Sequence, residues 1–417
     1  MHPRRPFSTL RNVVLSFSLA ATLLPANAWG GAKFKVLHHF YAGKNNNGGL
    51  YGGLTLDSKG NLYGTTWGGG GGSGTVFELM PSSEGVWTEK VLHSFDWRKE
   101  GNAPLGILLF DGDSTLYGTT SINGPSGVGA VFQLTYASGV WNSSVIADYG
   151  SHAGVVFDQA GNLYGNIGPG EYDEGAVTEL VPGAGGWTQS YLYSFCRKVN
   201  PCLDGDAPIS GVVFDSAGNL YGTTEYGGKG IGGDWGTAYE LKKQSDGTWR
   251  HILLHSFPAS ANDGKLVYGG LVLDKSGNLY GTTLQGGGKG CGEGTGCGTV
   301  YELAPTAKGW KETVLYNFPN PKNGAGPSSS LTFDAFGNLW GTAAGGTGQC
   351  NGGCGVVFKM TPGSNGQWTY SVVHQFTGND GAYPNASVVF DSKGNLYGTT
   401  ELGGGGNSVG VVFEITP

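Results

Sequence analysis

The chain has 417 residues, a formal net charge of −7 at pH 7 and 80 glycines. This acidic balance disfavours nucleic acid and anionic lipid as partners. So much glycine would indicate a disordered or fibrous protein if it were spread evenly. It is instead concentrated in loops such as 68–72 and 286–288, between runs rich in Val, Leu, Thr, Tyr and Phe that are typical of β-strands. We therefore expect an all-β protein.

Residues 1–28 have the pattern of an export signal. Three arginines precede an apolar segment over 13–24, and 26–28 reads Ala-Asn-Ala, the small-residue form of a signal peptidase site. We expect this segment to be cleaved and the mature chain to be secreted or periplasmic, with a formal charge of about −10 because three arginines are lost. No later apolar run reaches the roughly 20 residues of a transmembrane helix, so no membrane span is expected.

A seven-residue phrase, Gly-Asn-Leu-Tyr-Gly-Thr-Thr at 60–66, recurs seven times, whole or lightly edited. Its period is roughly 47 to 60 residues, within the range of propeller arrays. We therefore expect residues 29–417 to form one domain of seven repeats. The aromatic residue of each copy stands at Tyr63, Tyr117, Tyr164, Tyr221, Tyr280, Trp340 and Tyr397.

Each repeat has the pattern of four short strands. In the first copy they span 53–56, 62–66, 74–79 and 87–95, and the Asp, Gly and Asn residues of 57–61 favour a tight turn. No segment has a convincing helical period. One four-stranded sheet cannot bury both of its faces alone, whereas copies packed side by side can. The pattern predicts a seven-bladed β-propeller of four-stranded antiparallel blades.

The two ends of the chain indicate how the ring closes. The seventh repeat stops at Pro417 after its third strand, whereas residues 33–40 precede the first repeat and match the fourth strand at 91–95. An N-terminal strand that completes the last blade removes an exposed sheet edge. This arrangement favours a closed ring over an open β-solenoid or two smaller bundles. The third repeat has short loops, so we expect the third blade to be the smallest.

The residues also carry a family resemblance. Gly-Asn-Leu-Tyr-Gly-Thr-Thr, followed by a glycine-rich loop and Gly-Thr-Val-Phe-Glu-Leu, resembles the repeat of the Gloeo_Verruco (GloVer) tandem-repeat family of exported bacterial proteins. Members often end in a surface-anchoring segment, and this sequence ends at Pro417 with none, so we expect no C-terminal anchor. The phrase Asp-x-x-Gly-Asn-Leu-Tyr is similar, more distantly, to NHL-type and streptogramin-lyase-like propellers, a likeness of fold that does not transfer chemistry.

Six cysteines form three close pairs in the sequence. Even, locally paired cysteines in an exported chain indicate disulfides, with free thiols or a metal site as the alternatives. No pair is of the Cys-x-x-Cys kind and no histidine is near, so no metal is predicted at them. We expect the bonds to shape long loops more than to stabilise the ring. The pairs are Cys196 with Cys202, Cys291 with Cys297, and Cys350 with Cys354.

The antiparallel order of the strands predicts a functional face. The loop that enters the first strand and the loop between the second and third strands open on the same side, which we call the loop face. Its loops are the longest and most variable, and binding usually lies in loops on a rigid scaffold. For any single one of these loop residues, the alternative is that it is simply exposed to solvent and contacts no ligand. The candidate contact residues are Trp67, Trp97, Glu225, Tyr226, Trp235, Leu284 and Glu401.

Acidic side chains recur in step with the repeat. Turn aspartates such as Asp57 occur in all seven copies, which favours a structural role because catalysis needs a carboxylate only once or twice. A second set precedes glycine in the entry loops, where a ring of oxygens would hold Ca²⁺ or a sugar. Asp-Gly is also an ordinary turn pair, and the recurrence favours that interpretation, so no cofactor is predicted. This second set is Glu100, Asp204, Asp263, Asn323 and Asp380.

The histidines align in the same way. Four of them share one position on the fourth strand, which indicates a packing or rim position rather than a general base. His152 is out of that register, in the short third entry loop on the loop face, and has no partner visible in the sequence. The aligned residues are His38, His93, His255 and His374.

No nucleophile elbow, zinc-protease helix, phosphate loop or dinucleotide fingerprint is present. Two functions therefore stay open. The first is a noncatalytic, monomeric scaffold that binds a glycan, a peptide or a cell-envelope component through the loop face. The second is a lyase or hydrolase acting on an extracellular polysaccharide or lactone, because propeller enzymes assemble sites from single residues of different blades. The second requires a metal or a nonrepeated acid–base pair.

Overall fold

A computed structural model describes residues 31–41, 48–112, 114–168, 174–196, 202–229, 235–258, 260, 262–291 and 295–417. The export signal predicted over residues 1–28 lies outside these ranges. The described chain forms seven four-stranded antiparallel sheets arranged as the blades of a propeller, as the repeats predict. No described helix is long and apolar enough to cross a membrane.

Six blades use four strands each, in chain order. Blade 1 contains β2 (Thr55–Leu56), β3 (Leu62–Thr66), β4 (Thr75–Pro81) and β5 (Trp87–Ser94); blade 2 contains β6 (Leu109–Phe110), β7 (Thr115–Thr120), β8 (Ala130–Ala137) and β9 (Val140–Ala147); blade 3 contains β10 (Val156–Phe157), β11 (Leu163–Ile167), β12 (Ala176–Gly183) and β13 (Gly186–Ser194). Blade 4 contains β14 (Val213–Phe214), β15 (Leu220–Thr224), β16 (Thr237–Lys243) and β17 (Trp249–Ser256); blade 5 contains β19 (Val272–Leu273), β20 (Leu279–Thr283), β22 (Thr299–Thr306) and β23 (Gly309–Asn317); blade 6 contains β24 (Thr332–Phe333), β25 (Leu339–Ala343), β26 (Val356–Pro362) and β27 (Trp368–Gln375). A two-residue pair, β18 (Gly264–Lys265) with β21 (Gln285–Gly286), and a short 3₁₀ turn (Pro321–Asn323) lie in loops.

The seventh blade confirms the predicted closure. It contains β28 (Val389–Phe390), β29 (Leu396–Thr400), β30 (Ser408–Thr416) and, as its outer strand, β1 (Lys33–Tyr41). β1 runs antiparallel to β30, from Lys33 opposite Thr416 to Tyr41 opposite Ser408. The two ends of the chain are therefore held in one sheet, and β1 covers the edge of β30 that would otherwise be exposed.

Four side chains hold the turn and the sheet within a blade: the turn aspartate, the Asn and Tyr of the recurring phrase, and a glutamate on the third strand. In the first copy, Oδ1 of Asp57 accepts hydrogen bonds from the backbone N–H groups of Lys59 and Asn61, at 2.9 and 2.8 Å. Nδ2 of Asn61 donates to Oδ2 of the same aspartate at 2.8 Å, and the Tyr63 hydroxyl lies 2.8 Å from Oε1 of Glu78 on the next strand. The turn aspartate is thus a structural acceptor, as the recurrence indicated.

The Gly-Thr-Thr part of the phrase packs the blade and joins it to the next one. A Cβ atom at Gly64 would lie 2.6 Å from Cζ of Phe77, so only glycine lets this ring cover the strand. Thr65 donates a hydrogen bond of 2.9 Å to the carbonyl of Pro104 in the entry loop of blade 2. The equivalent Thr399 of blade 7 donates to Gly52 at 3.2 Å, which continues the series across the closure.

The hydrophobic core lies between neighbouring blades. One cluster joins Tyr63 and Phe95 of blade 1 to Leu108 and Phe132 of blade 2, all buried. Six further clusters of the same kind follow around the ring, and one of them joins blade 7 to blade 1. Because each sheet buries both faces only against its neighbours, the ring is the unit that buries the core.

Candidate functional site

All six cysteines form disulfides in the pairs that the sequence predicted. Cys196 is bonded to Cys202, Cys291 to Cys297 and Cys350 to Cys354. Each bond closes a short segment of the loop face. Disulfides persist in oxidising compartments, so the three bonds indicate an extracellular or periplasmic protein.

In each blade, one residue lies near the end of the entry loop, three positions before the buried leucine or valine that directly precedes the first strand. We call these seven the mouth residues. The residue type at this position changes around the ring, with tyrosine occurring twice, whereas the phrase that follows is nearly constant. His152, which is out of register with the other histidines, is in register here. The mouth residues are Tyr51, Leu105, His152, Ile209, Tyr268, Ser328 and Asn385.

Two glutamates that follow the Gly-Thr-Thr phrase contact mouth residues. The Tyr268 hydroxyl donates a hydrogen bond of 2.7 Å to Oε1 of Glu225, which is only 7% exposed. Glu401 accepts from the Tyr51 hydroxyl and, at 2.6 Å, from Nδ2 of Asn385. Burial and then the neighbouring carboxylate raise the pKa values of Tyr51 and Tyr268 well above 10, so both hydroxyls remain donors at every physiological pH.

The third blade lies below a cavity of about 350 Å³. Only eight residues separate β9 from β10, whereas 13 to 18 separate the corresponding strands at the other blades. The longer loops of blades 2 and 4 therefore rise on either side of it. The described lining includes Ile122 and Val128 from blade 2, His152 from blade 3, and Asp206 and Ile209 from the entry loop of blade 4. The short entry loop of the third blade was predicted, whereas its strands are as long as those of other blades. The cavity that results from the short loop was not predicted.

Three ionisable side chains line this cavity: His152, Glu174 and Asp206. Burial, followed by the charge and hydrogen bond of Glu174 and the charge of Glu225, raises the pKa of Asp206 to about 6. Burial lowers the pKa of His152, and the charge of Glu225 offsets this only in part. Near neutral pH the imidazole is therefore uncharged, and Asp206 takes up a proton just below neutrality. Perturbed titration inside a cavity is typical of functional sites.

The seven predicted contact residues do not converge on one site. Glu225 and Tyr226 lie beside the cavity, because Tyr226 exchanges two backbone hydrogen bonds with Asp206, at 3.0 and 3.1 Å. The ring of Trp235 lies under Nζ of Lys265 at 4.8 Å. Trp67 is half exposed, with its ring 6.5 Å from that of Tyr51.

The other candidates lie elsewhere on the loop face. Trp97 is about half exposed, and the guanidinium of Arg98 lies over its ring at 4.9 Å. Leu284 packs next to Gly326 of the following entry loop. Glu401 stands at the junction of blades 7 and 1, with its oxygens already occupied by mouth residues. The sequence analysis missed Glu174 and Asp206. Their only signal in the sequence is that both are acidic, do not recur in other repeats, and lie in loops near the short entry loop of blade 3.

Three of the aligned histidines pair with an acidic entry-loop residue, whereas His38 lies 3.1 Å from Glu89 on β5. Nε2 of His93 lies 3.0 Å from Oε2 of Glu100, and Nε2 of His374 lies 3.0 Å from Oδ2 of Asp380. In blade 3 a tyrosine replaces the histidine, and the Tyr193 hydroxyl donates to Asp204 at 2.6 Å. Each carboxylate is therefore engaged at its own blade junction by the outer strand of the preceding blade. This supports the rim interpretation of the histidines.

Comparison with known families agrees with the repeat chemistry. Residues 230–417 match the model of the Gloeobacter/Verrucomicrobia repeat. This part of the chain carries the Gloeobacter/Verrucomicrobia repeat. The same phrase occupies the blades before residue 230, so the repeat protein is built from one kind of unit throughout. No curated protein sequence matches the chain.

Solved structures of similar fold include several with unrelated activities. A polysaccharide lyase aligns with a TM-score of 0.50 and 10% identity, covering 91% of this chain and 92% of its own. A luciferin-regenerating enzyme aligns with a TM-score of 0.45 and 15% identity, covering 93% and 96%. A Thermus thermophilus protein described as an oxidoreductase (glucose dehydrogenase) aligns with a TM-score of 0.46 and 16% identity, covering 92% and 100%. At these identities the likeness concerns the fold alone.

Proposed function

We propose that this repeat protein is an exported recognition scaffold that binds the end of a glycan in the cavity over the third blade. The observation that carries the proposal is the set of nonrepeated side chains, His152, Glu174 and Asp206, that line one cavity in an otherwise repeated ring. A side chain needed for the fold recurs in blade after blade. One that occurs a single time, in a cavity, is a candidate for function.

The lining suits a sugar. Carboxylate oxygens and an uncharged imidazole accept and donate hydrogen bonds to hydroxyl groups. Ile122, Ile167 and Ile209 offer apolar surface for the carbon face of a ring. A volume of about 350 Å³ is at the low end for ligand pockets, which fits a chain end better than a long segment.

Charge narrows the class of glycan. The described lining contains two carboxylates and neither lysine nor arginine. An acidic polysaccharide would bring like charges together, which disfavours binding. A neutral or amino sugar meets no such repulsion, and a protonated amine would pair with Asp206. We therefore expect neutral or cationic glycans as ligands.

The test is a glycan and cell-envelope-extract binding screen on the mature protein, with dissociation constants then measured for the best ligand. Asp206→Asn and His152→Ala are expected to weaken binding at least tenfold without lowering the melting temperature. Trp97→Ala is the matched loop-face control and is expected to bind as the wild type does. If both cavity variants bind normally, the cavity is the wrong site.

A hydrolase is the second candidate, because His152 and Asp206 offer a neutral base and a carboxyl group that titrates near pH 6 in the same cavity. Elimination from a uronic acid is less favoured, since the described lining has no lysine or arginine to neutralise the substrate carboxylate. Product release from the bound glycan, abolished in Asp206→Asn while affinity is retained, would identify the enzyme. Binding without product would identify the scaffold.

A further inference from the structure

We infer that His255, Asp263 and Glu312 form a Zn²⁺ site at the outer rim, between the fourth and fifth blades. His255 lies on β17 of blade 4, Asp263 in the entry loop of blade 5 and Glu312 on β23 of blade 5. One ligand atom from each residue lies within 4.8 Å of the other two. The site is independent of the proposed glycan cavity, because none of its residues lines that cavity.

The donor atoms are withdrawn from water. The side chain of Asp263 is 2% exposed and that of His255 is 11% exposed. Oε1 of Glu312 is buried and accepts no hydrogen bond in the described structure. A buried carboxylate oxygen without a donor is costly, and a bound cation would relieve that cost. Oε1 of Glu89 in blade 1 is buried in the same way, but no third ligand lies beside it among the described residues.

The other junctions show that the second carboxylate is not needed for the fold. By strand register, the position of Glu312 on the outer strand is occupied by Ser143 in blade 2 and by Phe34 in blade 7. In blade 1 it is occupied by Glu89, which lies 3.1 Å from His38. Phe34 stacks on the aligned histidine of its junction at 3.7 Å. Among the described junctions with an acidic entry-loop residue paired to histidine, this one alone adds a second acid. Because Glu89 also pairs with a histidine, what distinguishes this junction is the grouping of one imidazole with two carboxylates.

The donor set matches the preferences of zinc. One imidazole nitrogen and two carboxylate oxygens are ligands that Zn²⁺ accepts at about 2.0–2.2 Å, with water completing the tetrahedron. Nε2 of His255 and Oδ2 of Asp263 are 2.9 Å apart and need to separate by about half an ångström to meet that geometry. The backbone N–H of Gly264 donates to Oδ1 of Asp263 at 2.6 Å and so orients the carboxylate from behind.

The metal would join two blades. Because the imidazole comes from blade 4 and the two carboxylates from blade 5, coordination replaces a single hydrogen bond with a bridge across the junction. Binding to the folded state alone stabilises that state. Zn²⁺ is therefore expected to raise the melting temperature of the whole ring.

The experiment uses the mature protein stripped of metal with a chelator and then titrated with Zn²⁺ by calorimetry, with Co²⁺ as a spectroscopic probe. We expect one Zn²⁺ per chain at micromolar affinity or tighter, a rise of several degrees in melting temperature, and visible absorption bands of tetrahedral Co²⁺. Glu312→Gln keeps the shape of the side chain and is expected to weaken binding at least tenfold and to abolish the thermal response.

His374→Gln is the matched control, because it disrupts a histidine–aspartate pair that lacks a second acid. It is expected to bind Zn²⁺ as the wild type does. The inference is overturned if the wild type binds no Zn²⁺, or if Glu312→Gln binds it with unchanged affinity. In the first case a proton, not a metal, neutralises Glu312.

Discussion

Nε1 of Trp340 donates a hydrogen bond of 2.9 Å to Oδ2 of Asp334. In five other blades a tyrosine hydroxyl lies 3.1 to 3.2 Å from the turn aspartate at this point. The sixth blade has changed the opposite residue as well. Lys359 stands where the first blade has Glu78, and its ammonium lies 5.3 Å from the centre of the indole ring. The two substitutions form one exchange, from tyrosine with glutamate to tryptophan with lysine.

This exchange predicts energetic coupling. Lys359→Glu places a second carboxylate beside Asp334 without a hydroxyl to bridge them, so it should lower the unfolding free energy by about 1–3 kcal/mol. Trp340→Tyr in the same chain should recover part of that loss, because it restores the arrangement of the other blades. Urea midpoints for the four members of the cycle measure the coupling, expected at about 0.5–3 kcal/mol.

The reverse exchange in blade 5 is the control for this cycle. Tyr280→Trp combined with Glu302→Lys should show coupling of the same sign, since the Tyr280 hydroxyl lies 2.8 Å from Glu302. Strict additivity in both blades would mean that the two positions are independent.

Asp206 is expected to destabilise the protein above neutral pH. Its folded pKa of about 6 lies above the ordinary value of about 3.9, so the native state binds more protons between these values and stability falls as pH rises through this window. Asp206→Asn should therefore gain about 1 kcal/mol at pH 8, after allowance for partial solvent screening, and nothing at pH 4. Melting temperatures at both pH values test this.

Asp380→Asn is the control with the opposite sign. Although burial alone would raise the pKa of Asp380, its hydrogen bonds from His374 and Thr377 lower it, so the carboxylate stabilises the fold at neutral pH. This variant should melt below the wild type at pH 8. A loss of stability in Asp206→Asn at pH 8 would contradict the functional assignment of the cavity.

Glu100 is expected to support stability at neutral pH and to lose that effect in acid. Burial alone would raise the pKa of this carboxyl, but hydrogen bonds from His93 and the backbone of Asp96 lower it to about 2. The native state therefore binds fewer protons between pH 4.5 and 2, and the stabilisation disappears as pH falls through that range. Glu100→Gln should cost about 1.5–3 kcal/mol at pH 7 and little near pH 2.

Urea midpoints of the wild type and of Glu100→Gln at pH 7, 5 and 3 measure how the difference in stability between them shrinks in acid. Glu84→Gln, on an exposed hairpin turn, should leave all three unchanged. An equal loss at every pH would show that the Glu100 charge is irrelevant and only its shape matters.

Phe34 is expected to hold the closure of the ring. Its ring stacks on His374 of blade 6 at 3.7 Å and contacts Phe413 of the neighbouring strand at 5.6 Å. Phe34→Ala removes this packing and should cost about 2–4 kcal/mol. Size-exclusion chromatography should also show association, because a loosened β1 exposes the edge of β30. Lys35→Ala, an exposed residue of the same strand, should change neither property.

The local chemistry of the repeat is largely set by the sequence. Turn residues such as Asp57 and Asn61 contact atoms within four positions, and strand β3 has the bounds predicted from the phrase. The first strand is shorter than predicted, since only Thr55 and Leu56 pair with β3. The closing strand was also predictable, because residues 33–40 repeat a pattern found elsewhere in the chain.

The pairing of side chains between blades was not predictable in the same way. The sequence aligned His93 with His374 and Glu100 with Asp380, but it did not indicate that each histidine meets an acid at the rim. That contact depends on the path of an entry loop back over the outer strand. Loop paths follow from packing against neighbouring blades, which no single repeat contains.

The sequence by itself thus determined the seven-bladed architecture and the strand that closes the ring, because both follow from direct repetition along the chain. It also determined the disulfide pairs, because the two cysteines of each pair lie close together in the sequence. Only the tertiary structure decided which reactive side chains lie close together. The cavity beside His152 exists because a short loop stands between two long ones, and Glu312 meets His255 because two outer strands are neighbours. Both are properties of adjacent blades, set by packing across the ring rather than by any local run of residues.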